Sequence, residues 1–292
     1  MGPTSGQNTR KRRGCSTVTP RITRLQQNDG RTIPQIGLGI DGPGNEETTE
    51  AVMTALELGY RSIDTAAFYG NESGVGEGIR RSGVAREDVH VTTKIWGDDH
   101  GSESAVAAFE RSMATLGLDY VDLYLIHWPH PGKDKYVETW LALEELLAEG
   151  RVKSIGVSNF QPHHLSRLFR ETTVRPVVNQ IELHPGFQNE QTRQFNTEHN
   201  ILTQAWSPLG RGRVFGNSKL EAIARKHSRS PAQVVLRWHV ELGNVVIPKS
   251  ITPERMKENL DVYDFRLDAE DYSAIRSLED GKRTGDNPDD FG

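Results

Sequence analysis

Four side chains capable of acid–base chemistry lie at or just after the ends of three successive short apolar segments: Asp64, Tyr69, Lys94 and His127. A phenol has an ordinary pKa of about 10, and a neighbouring ammonium lowers that pKa because it stabilises the phenolate. A carboxylate paired with the lysine would hold the ammonium charged and in place, and an imidazole can hydrogen-bond a substrate oxygen. The set can deliver a proton but supplies no electrons, so a redox reaction here would need a cofactor that donates hydride.

The segments that must position these residues alternate between strand and helix patterns. A turn at 28–30, between β-like segments 22–25 and 32–36, predicts an N-terminal β-hairpin. Eight apolar segments then predict strands at 36–39, 61–65, 89–94, 121–127, 152–157, 177–181, 201–206 and 245–248. Amphipathic patterns predict helices around 52–56 and at 103–116, 137–148, 163–170, 190–199, 218–227, 231–242, 253–262 and 268–278.

Strands that alternate with helices form a parallel sheet, and eight such units predict a closed (β/α)8 TIM barrel, with a doubly wound open sheet as the alternative. Extra helices are expected after strand 7 and strand 8. Chemistry in such barrels occurs at the carboxyl ends of the strands. Polar residues stand at those ends here, so Asp64, Lys94 and His127 are expected on adjacent strands at one rim, with Tyr69 on the loop above.

The chain resembles the aldo-keto reductases, and the resemblance covers residues 21–292. The family's Asp, Tyr, Lys and His fall on the four residues above, and the stretches 156–160, 179–185 and 247–250 match at the expected strand ends. Within the family, the stretch 206–210, the pair Glu258–Asn259 and the short interval between Trp128 and Trp140 are most similar to the microbial 2,5-diketo-gluconate reductase and prostaglandin F synthase branch. The resemblance implies an NADPH-dependent oxidoreductase that reduces aldehydes or ketones, with Tyr69 as general acid, on a keto-sugar acid or another small dicarbonyl.

The resemblance also assigns the cofactor. Ser158, Asn159 and Gln180 offer groups that match a nicotinamide carboxamide, and Trp206 offers a flat face for the ring, although many relatives carry Tyr there. Phosphates in barrels often bind in the loops after strands seven and eight. Those loops and the helix after them supply the remaining expected contacts: Ser207, Leu209, Lys249, Ser250, Arg255, Glu258 and Asn259. We expect Lys249 and Arg255 to bind the 2′-phosphate of NADPH, because Arg meets a phosphate with paired hydrogen bonds.

Phe68, Trp96 and Trp128, together with His127 and Trp206, are expected to form an aromatic wall around the substrate. Asp41 departs from the family pattern, because many relatives have an aromatic residue at that position in the pocket. The departure leaves one side of the wall without its usual lining.

The sequence also bears on three other functions: dinucleotide binding of the Rossmann type, metal-dependent hydrolysis and non-catalytic nucleotide binding. Residues 37–42 fit G-x-G-x-x-G, but Pro43 and Gly44 follow where a dinucleotide-binding helix would have to begin. His127 and His130 with Asp64 are too few ligands for a metallohydrolase and leave Tyr69 without a role, so no metal is expected. A non-catalytic nucleotide-binding relative, acting as a redox sensor or regulatory subunit, remains as the second functional class.

Composition limits the setting of the protein. The 292 residues have a mean hydropathy of −0.60 and no long apolar run, so no membrane segment is expected. Residues 1–28 hold six basic and no acidic residues, so the rest is more acidic than the net charge of −5, which argues against nucleic-acid binding. The one cysteine, Cys15, favours a reducing cytoplasm.

We expect a monomer whose partner is a small carbonyl substrate. We expect residues 1–20 to be a disordered basic extension, with a transit peptide as the alternative, and residues 21–292 to form the barrel domain.

Overall fold

A computed structural model describes residues 22–292; the predicted basic extension 1–20 and Cys15 lie outside the described residues. The described chain begins with the predicted hairpin. Strands β1 (Arg24–Gln26) and β2 (Thr32–Pro34) pair antiparallel with Leu25 opposite Ile33. The Asp29 carboxylate of the connecting turn accepts a hydrogen bond from the Ser154 hydroxyl at 2.6 Å, near the start of a barrel strand.

The hairpin closes the amino-terminal end of the barrel. Ile33 is fully buried in a cluster with Leu123, Leu125, Val178 and Val245, which come from the barrel strands. Aliphatic side chains therefore fill this end of the interior, as in other barrels of eight strands. The polar chemistry can lie only at the opposite, carboxyl end.

Eight parallel strands confirm the predicted sheet. They are β3 (Leu38–Gly39), β4 (Ser62–Asp64), β5 (His90–Ile95), β6 (Val121–Ile126), β7 (Val152–Ser158), β8 (Val178–Glu182), β9 (Leu202–Trp206) and β10 (Val245–Val246). Each strand pairs with its neighbour in chain order. Parallel bridges between Ile36 and Val246 and between Gly39 and Lys249 join the first strand to the last. The result is a closed (β/α)8 barrel, and the open sheet is the wrong alternative.

Ten helices surround this barrel in residues 22–292. They are α1 (Asn45–Leu58), α2 (Glu72–Ser82), α3 (Ser102–Leu116), α4 (Tyr136–Ala148), α5 (Pro162–Glu171), α6 (Glu190–Glu198), α7 (Ser218–His227), α8 (Pro231–Glu241), α9 (Pro253–Leu260) and α10 (Ala269–Arg276). The extra helices are present as predicted: α7 and α8 both follow β9, the seventh barrel strand, and α9 and α10 both follow β10, the eighth. Within the described part of the chain, no helix combines the length and the apolar character that crossing a membrane requires.

The helix patterns in the sequence missed α2, which follows Tyr69 directly. Its glycines lower helix propensity, but the packing requires them. A Cβ atom at Gly76 would overlap the Leu116 carbonyl of α3, and one at Gly74 would overlap the Asn45 carbonyl of α1. These glycines let α2 approach two neighbouring helices closely, and tertiary packing thereby overrides local propensity.

We predict that Gly76→Ala lowers the free energy of unfolding by about 1 to 3 kcal/mol, because the added methyl meets backbone that cannot move aside easily. Urea unfolding with an unchanged m-value would measure the loss. Gly44→Ala is the matched control, because its Cβ would meet no atom within 4 Å. The control should cost less than about 1 kcal/mol. Equal losses in both variants would contradict close packing as the cause.

Candidate active site

The four predicted acid–base residues come together at the carboxyl rim of β4, β5 and β6. Lys94 Nζ donates to Asp64 Oδ1 at 2.5 Å and to the Thr65 carbonyl at 2.8 Å. The Tyr69 hydroxyl lies 3.5 Å from His127 Nε2, and Lys94 Nζ lies 5.2 Å from the centre of the Tyr69 ring. A carboxylate, an ammonium, a phenol and an imidazole thus form one continuous cluster.

A short turn fixes the position of Tyr69. Residues 67–69 form a single 3-10 turn that ends at Gly70, whose φ of 67° lies in the left-handed region that favours glycine. Asn71 then holds the loop 65–71 in place by hydrogen bonds. Its buried side chain accepts a hydrogen bond from the Thr65 hydroxyl at 2.7 Å and donates to the Ile40 carbonyl at 3.3 Å. Both ends of the loop are therefore tied to the rim from which Asp64 projects.

The Lys94–Asp64 pair is sealed from water, with Lys94 0% exposed. Burial alone would lower the pKa of Lys94, but the negative charge of Asp64 and the hydrogen bonds around the ammonium raise it above its usual range. Gln180 Nε2 donates to the second Asp64 oxygen at 2.7 Å. Because its partners are in place, the buried lysine stays charged at neutral pH.

The pKa of Tyr69 is raised, although a neighbouring ammonium was expected to lower it. Lys94 does act to lower it, but burial outweighs this effect, and the charges of Asp64 and Asp41 add to the rise. The net pKa lies above the usual value, so Tyr69 holds its proton throughout the neutral range. It is placed to release that proton only to a strong base.

His127 is held neutral. Burial, followed by the charges of Lys94 and His130, lowers its pKa well below the usual value. Its ring packs edge-on against Trp96, with ring centres 5.2 Å apart. At neutral pH this imidazole can therefore take part in hydrogen bonds without adding a charge to the pocket.

The predicted nicotinamide residues form a second network beside the first. Asn159 Nδ2 donates to the His127 carbonyl at 3.0 Å and to the Ser158 hydroxyl at 3.1 Å. Trp206 Nε1 donates to Asn159 Oδ1 at 2.8 Å. With Gln180 bonded to Asp64, these side chains link the rim of β7, β8 and β9 to the acid–base cluster. Polar amides beside a partly exposed indole face fit a flat, amide-bearing heterocycle.

The predicted phosphate residues lie around the start of α9. Lys249 and Arg255 are exposed, and neither forms an ion pair with any residue of 22–292. Ser250 is buried, and its hydroxyl bonds within the turn to Thr252. Two free cations beside a helix amino terminus fit an anionic group such as a phosphate.

The other predicted contacts differ in exposure. Ser207, Leu209 and Glu258 are half-buried, and Ser207 has a positive φ of 47°. Asn259 is buried beside the Tyr60 hydroxyl. The side chain of Asn259 is thus buried, whereas the sequence predicts a contact with the cofactor.

The expected substrate wall is present at the mouth of the barrel. Phe68 stacks on Trp96 with ring centres 3.9 Å apart, and Phe68 is 60% exposed. Phe291, which sequence reasoning missed, stacks on Trp128 at 4.3 Å and meets Trp96 edge-on at 5.9 Å. Only its aromatic character near the carboxyl end of the chain could have drawn attention to it, because nothing local predicts where the segment folds back.

The segment 282–292 that carries Phe291 is tied down at two points. Glu182, at the end of β8, accepts hydrogen bonds from the backbone amide and the hydroxyl of Thr284. Asp289 lies 3.2 Å from His163 Nε2 and 3.6 Å from His164 Nε2. His164 is buried, and its Nδ1 accepts the Gln161 amide hydrogen at 3.1 Å. That bond places the proton on Nε2, which disfavours a metal ion at this cluster.

Comparisons with known proteins agree with this geometry. Residues 35–280 match the model of the Aldo/keto reductase family. The chain is 51% identical to methylglyoxal reductase DkgA of Escherichia coli K12 over 277 residues, which cover 94% of this chain and 99% of that protein. It is 54% identical to a 9,11-endoperoxide prostaglandin H2 reductase of Trypanosoma cruzi over 263 residues, 89% of this chain and 92% of that one.

Solved structures give the same result. A mutant of Gox0644 in complex with NADPH superposes with a TM-score of 0.90 at 50% identity, covering 93% of this chain and 99% of that one. Named reductases and an NADPH complex thus stand among the proteins most similar to this chain. The chain belongs to the aldo/keto reductase family, whose members are oxidoreductases that act on carbonyl groups.

Proposed function

We propose that this protein reduces an aldehyde or ketone to an alcohol with NADPH, and that Tyr69 is the general acid. The observation that carries the proposal is the cluster in which the Tyr69 hydroxyl lies 3.5 Å from a neutral His127 and beside the Lys94–Asp64 pair. When bound, NADPH supplies the hydride that the protein lacks. The side chains of this chain would then bind, orient and protonate the carbonyl.

The raised pKa of Tyr69 suits this role. A carbonyl oxygen is too weak a base to take the phenol proton, but the oxygen of a forming alkoxide is a stronger base than a phenolate. Proton transfer from Tyr69 therefore accompanies the development of negative charge on that oxygen. Lys94 stabilises the phenolate left behind, and Asp64 keeps Lys94 charged.

His127 and the amide network would set the geometry of the reaction. A neutral imidazole 3.5 Å from the acid can hydrogen-bond the same substrate oxygen and hold it near Tyr69. Ser158, Asn159 and Gln180 would hold the nicotinamide carboxamide, with the ring on Trp206. Lys249 and Arg255 would hold the 2′-phosphate, with Ser207, Leu209, Ser250, Glu258 and Asn259 as the remaining contacts.

The aromatic wall of Phe68, Trp96 and Trp128 favours small, flat or extended carbonyl compounds. We propose a keto-sugar acid or another small dicarbonyl as the physiological substrate. The similarity to a protein named methylglyoxal reductase supports a dicarbonyl.

We also propose that residues 21–292 act as a single monomeric barrel domain in the cytoplasm, without nucleic acid or membrane. Every side chain of the acid–base cluster comes from one chain, so the site does not need a second copy. The acidic balance of the body supports the lack of nucleic-acid binding.

Tyr69→Phe should lower kcat for aldehyde reduction by about 10²-fold or more, because it keeps the shape of the ring and removes the proton. Loss of reduced-nicotinamide absorbance measures turnover, and quenching of protein fluorescence measures NADPH binding, which should persist. Near wild-type turnover would rule out Tyr69 as the acid. NADPH binding by the wild type without turnover of any carbonyl would instead favour the non-catalytic class.

Lys94→Met should weaken the acid, because removing the ammonium raises the pKa of Tyr69 further. Reduction at neutral pH should slow. In alcohol oxidation, where Tyr69 must act as the phenolate, the rise of activity with pH should move to higher pH. The double variant Asp64→Asn/Lys94→Met buries no unpaired charge and controls for instability. A wild-type pH profile in both variants would argue against the electrostatic role.

Arg255→Ala should weaken NADPH binding by about 1 to 3 kcal/mol and NADH binding much less, because only NADPH has the 2′-phosphate. The loss should shrink as salt is added. Lys257→Ala, an exposed cation two residues further along α9, is the matched control and should change neither affinity appreciably. Equal weakening of both cofactors would show that Arg255 does not recognise the phosphate.

A further inference from the structure

Asp41 stands at the rim of the barrel, two residues after the end of β3, and its backbone is fixed beside the acid–base cluster. The amide of the preceding residue, Ile40, donates to the Asp64 carbonyl at 3.0 Å. The Ile40 carbonyl accepts from Asn71 Nδ2 at 3.3 Å. Asp64 and Asn71 bracket the loop that carries Tyr69, so Asp41 is held next to that loop.

The carboxylate of Asp41 is exposed and forms no ion pair with any residue that the structure describes. A cation beside its loop is Lys249, whose Nζ lies 3.3 Å from the position that a Cβ atom would take on Gly42. In the proposed function Lys249 serves the cofactor phosphate. Asp41 itself has no ion-pair partner among the described residues, and its charge reaches Tyr69, since Asp41 adds to the effect of burial in raising the Tyr69 pKa.

Two lysines near the mouth already have carboxylate partners in the protein. Lys94 is buried against Asp64, and Lys133, beside the turn that follows Trp96, pairs with Asp98 at 2.7 Å. A substrate carboxylate would therefore have to compete with Asp64 or Asp98 for either lysine. The pocket thus combines an aromatic wall with the carboxylate of Asp41, which is unpaired within residues 22–292.

We propose that Asp41 makes the enzyme select uncharged carbonyl substrates over keto acids. The inference rests on the proposed carbonyl reduction and narrows its substrate class: of the two proposed substrates, it favours the neutral dicarbonyl and disfavours the keto-sugar acid. An α-keto acid would carry its carboxylate next to the carbonyl bonded by Tyr69 and His127, and so close to the Asp41 side of the rim. Like charges at that range in a partly enclosed site repel one another. Neutral dicarbonyls and keto esters meet no such penalty.

The test compares benzoylformate with its methyl ester as substrates at saturating NADPH. Asp41→Asn keeps the shape of the side chain and removes its charge. It should raise kcat/KM for benzoylformate by about three- to tenfold and leave the ester within about twofold. The ratio of the two values cancels any effect of the substitution on the cofactor. Asp119→Asn makes the same change at an exposed residue before the amino end of β6, and it should leave the ratio unchanged.

Two further readouts separate the possible failures. Added salt should reduce the discrimination of the wild type between acid and ester, because it screens an exposed charge. An unchanged ratio in Asp41→Asn, or the same change in Asp119→Asn, would overturn the inference while carbonyl reduction stands. Absence of NADPH oxidation with the ester in the wild type would overturn the proposed function and this inference together.

Discussion

The buried ion pair between Lys94 and Asp64 is the constraint on which the site depends. An ammonium and a carboxylate removed from water lose hydration worth several kcal/mol each, and a pair is tolerated only when further hydrogen bonds complete it. Here the Thr65 carbonyl accepts from the lysine and Gln180 donates to the aspartate. The ends of strands β4, β5 and β8 must therefore stand in a fixed relation, and the closed barrel provides it. Tyr69 and His127 then take their properties from the same buried environment, one protonated and one neutral.

Much of this arrangement could be predicted from the sequence, because it depends on residues at strand ends. Eight apolar segments of strand length define the order of the sheet, and the polar residue at each end then falls at one rim. Asp64, Lys94 and His127 meet for this reason alone. The N-terminal hairpin could also be predicted, because an Asp-Gly turn between short apolar segments is a local feature of the sequence.

The parts that could not be predicted depend on contacts between distant segments. Helix α2 has poor local propensity, and its glycines make sense only once the carbonyls of Asn45 and Leu116 lie against it. The net pKa of Tyr69 depends on burial, which no spacing reveals, and burial reverses the effect expected from Lys94. Phe291 reaches the substrate wall because Glu182 and the histidines of α5 hold its segment, a contact across more than a hundred residues of chain.

The hairpin blocks the amino-terminal end of the barrel, so the two ends of the molecule differ. With Ile33 and its aliphatic neighbours filling that end, traffic of substrate, product and solvent is confined to the opposite mouth. The first described residues, which lead into β1, lie at this sealed end. Immobilising the protein on a solid support through that side would leave the mouth facing the solution, so a packed bed of it could work as a flow-through catalyst.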